Sequence, residues 1–362
     1  MILEADNNKK FHFDKKKLLS KEVIALAVLL CVTIALIVFL TLMKENVNST
    51  PVTTKSETYY EYFDTVCSVY DYSGGDDALF EENCRMIEVS LSYYHRLFDI
   101  YHEYDGMNNI ATLNRLAGKE AVKVDRALID FLSYAVSMHE LTDGNVNIAM
   151  GSVLSIWHEY REKGTGVPSI EELTEANAHT DIKGLIIDGE ACTVKFADPA
   201  LRLDVGAIAK GYAAEMCAEL LTSCGLTSYV LDLGGNLRTI GTKADGSAWR
   251  TGVQNPDIYS DVPYVYYLNI SNTSVVTSGD YQRYYYANGV RYHHIINKDT
   301  LFPADRFASV TVVTENSGLA DALSTALFNM SKDAALELLD TIDDISVVWV
   351  YHDGAIETYG LD

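Results

Sequence analysis

The sequence predicts an α+β domain of mixed sheets with flanking helices over residues 58–362, preceded by one membrane-spanning helix at 23–43. Three observations lead there. Segments with apolar residues at helical spacing and segments of alternating residues follow one another without strict strand–helix–strand order, which argues against a doubly wound parallel sheet. Asn288-Gly289 and Asp353-Gly354 punctuate alternating runs, a strong local signal for β-hairpins. Val23–Met43 is a charge-free apolar run of 21 residues, enough to cross a hydrocarbon core as a helix.

A cleaved signal peptide would have an apolar region of only about 7–15 residues and small residues at its cleavage site. Lys9, Lys10, Lys15, Lys16, Lys17 and Lys21 precede the run, whereas only Lys44 and Lys55 follow closely. The positive-inside bias puts residues 1–22 in the cytoplasm and the rest of the chain outside the cell membrane, tethered by a single pass. Residues 44–57, "KENVNSTPVTTKSE", are polar and aperiodic and read as a linker.

Beyond the linker, "YYEYFDTVCSVYDYSGG" reads as a first strand ending at a Gly-Gly turn, and helices follow at 77–97 and 126–141. "LRLDVGAIAKGYAAEMCAELLTSCG" is a strand end, a turn at Gly206 and a helix closed by Gly225. "SYVLDLGGNLRTIG" is a strand pair about Gly234-Gly235-Asn236, and "VPYVYYLNI" and "SVVTSG" are further strands. "QRYYYANGVRYHHII" is a hairpin, and "NSGLADALSTALFNM" an amphipathic helix with Leu319, Leu323, Leu327 and Met330 on its apolar stripe. A last hairpin turns at Asp353-Gly354. Cys67, Cys84, Cys192, Cys217 and Cys224 show no CxxC spacing and read as buried or free thiols, with one disulfide left open.

The composition is that of a globular protein, 48% hydrophobic and 22% charged, but the net charge is −23. That balance argues against a nucleic-acid partner, whose footprint would be basic. An anionic ligand would need local help from a cation, lysines or backbone N–H groups. Three segments offer it. Asp321 and Thr325 are one helical turn apart, a hard oxygen pair suited to Mg²⁺; equally, Asp321 can simply favour a helix N-terminus and Thr325 face solvent. "LDVGAIAKGYA" sets a glycine turn, Asp204 and Lys210 before a helix, an arrangement that serves either phosphate binding or mere connection. In "YHHII", strand alternation sends His293 and His294 to opposite faces, so only one can serve as a base, and cross-strand packing is the rival role for both.

In order along the chain, "FDTVCS", "TDGNVNIAMGS", "LDVGAIAKGYA", "VLDLGGNLRTIG", "TSGDYQRYY…YHHIIN" and "ADALSTAL" resemble the ApbE family of FAD:protein FMN transferases. The resemblance covers essentially everything from Tyr59 onward. It implies an ApbE-like fold and a Mg²⁺-dependent enzyme that moves the FMN half of FAD onto a threonine or serine hydroxyl of a target flavoprotein in extracytoplasmic electron transport, releasing AMP. It further implies that Ala207, through its carbonyl, Asp321 and Thr325 hold the metal. Phe63, Tyr101, Asn145, Val146, Asn147, Asp204, Lys210 and Ile296 would contact FAD, and His294 would be the base, with His293 outside the motif. Two places depart from the family pattern: Asn145-Val146-Asn147 stands where Ala-Phe-Asp is common, and Asn297–Leu301 where Asp-Pro-x-Thr-Gly is common. A Mg²⁺-dependent FAD pyrophosphatase and a non-catalytic flavin-binding module are the alternative readings.

Overall fold

A computed structural model of the chain describes residues 54–361. The expected membrane segment at 23–43, the stretch before it and linker residues 44–53 lie outside them. Among the described residues no helix is long and apolar enough to cross a membrane. Strands β1 (Lys55–Tyr59) and β2 (Cys67–Asp71) are followed by helices α1 (Asp77–Phe98) and α2 (Ile110–Arg115), strand β3 (Val122–Lys123) and helix α3 (Arg126–Leu141). Helices α4 (Gly151–Lys163) and α5 (Ile170–Asn177) lead to β4 (Leu185–Asp188), β5 (Thr193–Phe196) and α6 (Ala209–Ser223). Next come β6 (Tyr229–Leu233), β7 (Asn236–Ile240), β8 (Trp249–Gln254), β9 (Tyr264–Ile270), β10 (Ser274–Gly279), β11 (Tyr284–Ala287) and β12 (Val290–His293). The chain closes with β13 (Ser309–Thr314), α7 (Ser317–Asn329), α8 (Lys332–Leu339), β14 (Ser346–Val350) and β15 (Ile356–Tyr359).

Eight strands form one sheet in the order β1-β2-β6-β7-β10-β13-β14-β15, and every neighbouring pair is antiparallel. Helices pack on one face: Val69 and Leu231 meet Ile87 and Ala213, and Val310 and Val312 meet Leu323 and Leu327. On the opposite face Val230, Val275 and Val313 pack against Trp249, Val253 and Leu268 of the β8–β9 hairpin. Covered on both sides, β13 is buried at all six positions, and its β-branched composition suits that setting.

The structure redraws three of the sequence expectations. The first predicted strand is two: residues 60–66 form a loop, because Phe63 and Asp64 take left-handed backbone (φ 56° and 52°) that ends strand pairing. β1 begins at Lys55, opposite Asp71, so the last linker residues belong to the sheet. Finally, α7 is buried almost all round rather than amphipathic, with only Leu319 and Thr325 partly open, because it is wedged between the sheet and α6. The Asn288-Gly289 turn is as expected, both residues having positive φ (52° and 77°), which the two-residue hairpin demands. All five cysteines of the described residues are free.

Candidate active site

The site begins where α6 crosses α7. A Cβ at Gly211 would lie 2.4 Å from both the Asp321 Cβ and the Ser317 carbonyl oxygen, so only glycine permits this approach. At that contact the Gly211 N–H donates to Asp321 Oδ2 at 2.8 Å. The Asp321 carboxyl is 4% exposed and has no ion-pair partner among the described residues. Burial pushes its pKa above the ordinary carboxylate range, while the Lys210 charge and the Gly211 hydrogen bond oppose the rise. Beside it the buried Asn236 amide also opposes the rise. One turn later the half-buried Thr325 hydroxyl lies 3.3 Å from Ser278 Oγ.

A buried carboxylate without an ion-pair partner among the described residues, a hydroxyl one turn on and a carbonyl from the adjoining loop fit a hard divalent cation. Among the described residues no three His, Cys, Asp or Glu side chains cluster as a ready-made metal site. A cation held by one carboxylate, one hydroxyl and the Ala207 carbonyl would keep room for phosphate oxygens. That donor set is Mg²⁺-like rather than zinc-like.

Asp204, four residues before Ile208, closes the loop before α6: its Oδ1 accepts from the Gly206 N–H at 3.0 Å, and its amide donates to the Ile148 carbonyl at 2.8 Å. Lys210 lies in the first turn of α6 and reaches back toward the Gly206 carbonyl at 3.4 Å. Its charge acts on both Asp321 and His294.

The two adjacent histidines differ sharply. His293 ends β12 and is buried, with Nε2 2.7 Å from the Ala304 carbonyl and Nδ1 accepting from the Ile295 N–H at 3.2 Å. Both nitrogens are committed, which fixes a neutral Nε2–H tautomer inside the core, not on an outer hairpin face. His294 stands just past the end of the strand, so alternation no longer governs it. Its Nδ1 is buried and has no hydrogen-bond partner among the described residues. Burial, then the charges of Arg283, Lys210 and Arg161, push its pKa down to about 3. The ring is neutral and unoccupied by structural bonds, the state a general base requires.

The remaining predicted contacts divide. Phe63 is half-buried, its N–H donating to His95 Nδ1 at 3.1 Å, and the next residue, Asp64, is tied to Arg283 by its carbonyl (2.9 Å) and carboxylate (3.2 Å). The Thr65 side chain fills the space over Gly234, whose φ is 63°, so the "FDT" loop and the β6–β7 turn pack together. Tyr101 is 67% exposed. Val146 is buried in the core, and Asn145 and Asn147 spend their amides on the Thr142 and Thr180 carbonyls. Ile296 is buried among Trp157, Leu301 and Met150, an apolar cluster distinct from the polar ring around His294. A cavity of about 680 Å³ is lined by Asn147, Met150, His139, Lys183 and Lys298; of the predicted residues it includes Asn147 alone, so it is not where Lys210, Asp321 and His294 meet.

Sequence reasoning missed three charged or polar side chains here. Arg283 lies inside "TSGDYQRYY", a motif with nothing local to set this arginine apart from a solvated one. Arg161 and His158 lie on α4, which had no predictive pattern of its own.

The sequence pattern of the ApbE family matches residues 63–349. The chain belongs to the ApbE family. Among curated ApbE relatives, the FAD:protein FMN transferase of Treponema pallidum (strain Nichols) is 34% identical over 258 residues, covering 67% of this chain and 71% of that protein. The crystal structure of the ApbE protein of Thermotoga maritima MSB8 superposes with a TM-score of 0.76 at 28% identity, over 85% of this chain and 97% of that one. The flavin transferase ApbE of Vibrio cholerae gives a TM-score of 0.70 at 25% identity, over 85% and 97%. The mixed α+β architecture described above is therefore the ApbE fold.

Proposed function

We propose that this ApbE protein is a Mg²⁺-dependent FAD:protein FMN transferase, acting outside the cell membrane from an N-terminal anchor at 23–43. It transfers FMN from FAD to a threonine or serine hydroxyl of a target flavoprotein and releases AMP. One observation carries the reading: His294, neutral and with an unpartnered buried Nδ1, faces the charges of Lys210, Arg283 and Arg161, and Lys210 also acts on the buried Asp321 carboxyl.

Phosphoryl transfer depends on positioning and charge neutralisation. The target hydroxyl oxygen forms a bond to the FMN phosphorus, the bridging P–O bond to AMP breaks, and His294 accepts the hydroxyl proton. Lys210 and Arg283 supply fixed positive charge to an otherwise acidic molecule, where a pyrophosphate would be repelled. Held by Asp321, Thr325 and the Ala207 carbonyl, Mg²⁺ would supply Lewis-acid neutralisation of the pyrophosphate oxygens. The low pKa of His294 belongs to the ligand-free site. An anionic ligand among the same cations offsets their share of the depression and raises it, while the share due to burial remains.

The test is incubation with FAD, Mg²⁺ and a threonine-bearing acceptor, read by mass spectrometry of the acceptor. A gain of one FMN, absent when Mg²⁺ is chelated, is expected. Stoichiometric FMN and AMP release with no acceptor modified would identify a pyrophosphatase, and flavin binding without AMP release a non-catalytic binder.

A further inference from the structure

Helix α4 connects the two halves of the site. At its start, Gly151 is pressed onto the segment leading to Asp204: its N–H donates to the Arg202 carbonyl at 3.0 Å, and a Cβ there would lie 2.5 Å from that oxygen. Midway, Trp157 Nε1 donates to the Leu301 carbonyl at 2.9 Å, and its ring stacks on Tyr292, two residues before His294. The helix is thus clamped to the Asp204 segment and to the hairpin that delivers His294. The next residue, His158, is presented between them. Its Nδ1 lies 3.1 Å from the Tyr101 hydroxyl, and its Nε2 lies 3.8 Å from Asp204 Oδ2.

We propose that His158 is a positioning residue for FAD, holding the Tyr101 ring upright and facing Asp204, so that two expected ligand contacts are oriented by one imidazole. This rests on the reading of Tyr101 and Asp204 as FAD contacts. The physical need is clear at Tyr101. Its backbone is anchored, the N–H donating to Asp99 Oδ1 at 2.7 Å, but the ring is two-thirds exposed. An exposed aromatic that swings freely loses rotamer freedom when a ligand stacks on it, which weakens binding. A hydrogen bond from its phenol to a clamped helix removes that freedom beforehand.

The tautomer is consistent with this arrangement. Burial holds the His158 ring below the usual imidazole range, opposed by Asp204 and supported by the Arg161 and Arg283 charges. A neutral ring accepts the Tyr101 O–H at Nδ1 and turns Nε2–H toward Asp204. It thereby adds no charge of its own beside the flavin nucleotide.

FAD affinity, measured by flavin fluorescence titration of the intact protein without turnover, tests the inference. His158→Phe is expected to raise the Kd for FAD roughly three- to tenfold, the worth of one hydrogen bond, while kcat at saturating FAD changes less than about twofold. Tyr101→Phe should give a similar loss, and the double variant no further loss, because both remove the same interaction. His158→Gln, whose amide oxygen accepts the same phenolic proton, should recover most of the affinity and also serves if the Phe variant fails to fold. An unchanged Kd in His158→Phe, or losses that multiply in the double variant, overturns the inference. An unmutated chain that binds no FAD overturns the functional reading instead, so the two failures are distinguishable.

Discussion

Adjacent histidines with the same intrinsic basicity serve opposite ends here because of their hydrogen bonds. His293 has both nitrogens engaged with main-chain groups, whereas the buried Nδ1 of His294 has none. An unmet polar atom in a folded interior lowers stability, so its retention points to use. Replacing His294 with Ala should lower kcat for FMN transfer by about 10²–10⁴ while the FAD Kd moves little; steady-state transfer measured beside a binding titration checks this, and undiminished kcat would remove the base. The same ring affects stability in a definite direction. Its folded pKa of about 3 lies below the ordinary imidazole value of 6.5. As pH falls from 6.5 toward 3 the unfolded chain takes up the proton first, and the stability present at neutral pH is progressively lost. His294→Gln should therefore flatten the acid limb of the stability–pH curve by up to about 1.4 kcal/mol per pH unit in that window. Urea titrations at several pH values measure it.

Asp321 has the reverse sign. Its raised folded pKa means that the buried carboxyl stabilises the fold least once it ionises, so stability is lost as pH rises through the folded value. In the metal-free protein at neutral pH, Asp321→Asn should raise the melting temperature by about 2–4 °C, since the amide oxygen can still accept the Gly211 N–H. The same variant should abolish Mg²⁺-dependent transfer. A lower melting temperature would mean that the carboxylate is structural.

At the level of elements, the crossing of α6 and α7 sets the distance between Lys210 and Asp321. Gly211→Ala puts a methyl 2.4 Å from the Asp321 Cβ and the Ser317 carbonyl, so the helices must separate. Overpacking of this kind costs roughly 1–3 kcal/mol, and transfer should fall as steeply as in Asp321→Asn; a denaturation curve and an activity assay on the same preparation decide it. This contact also shows what the sequence does and does not disclose. The span of α7 is readable, because its Asn316 side chain caps the Leu319 N–H and aliphatic residues recur at helical spacing. Its burial all round is not readable, because the second wall is α6, about 100 positions earlier in the chain. Likewise the hairpin turn at Asn288-Gly289 is local chemistry, whereas the split of the first strand is caused by Phe63 and Asp64 adopting positive φ, a conformation few such residues announce. Asp321, Lys210 and His294 were legible through their motifs. His158 was not, since a largely buried histidine within a helix gives no signal until Tyr101 is brought to it across 57 positions.

Across the whole molecule, the local cations face a long-range field of opposite sign. The net charge is −23, while Lys210, Arg283 and Arg161 are gathered around His294. Which one governs capture of the anionic FAD depends on screening. The Debye length is about 30 Å at 0.01 M salt and about 8 Å at 0.15 M. At the lower ionic strength the ligand feels the charge of the entire protein and is repelled; at the higher one it feels mainly the groups lining the site. The FAD association rate should therefore rise, by a few-fold, between about 0.01 and 0.15 M salt, opposite to the usual behaviour of an enzyme that steers its substrate by net charge. The dissociation rate should change less, because the closest contacts are short and partly buried. Stopped-flow flavin fluorescence across that range separates the two rates. A rate that falls with salt would show that the basic group around His294 already dominates the field at a distance. Arg283→Gln would then be the variant to slow association most, since Arg283 is the most exposed of the three cations at the site and the first among the charges acting on His294.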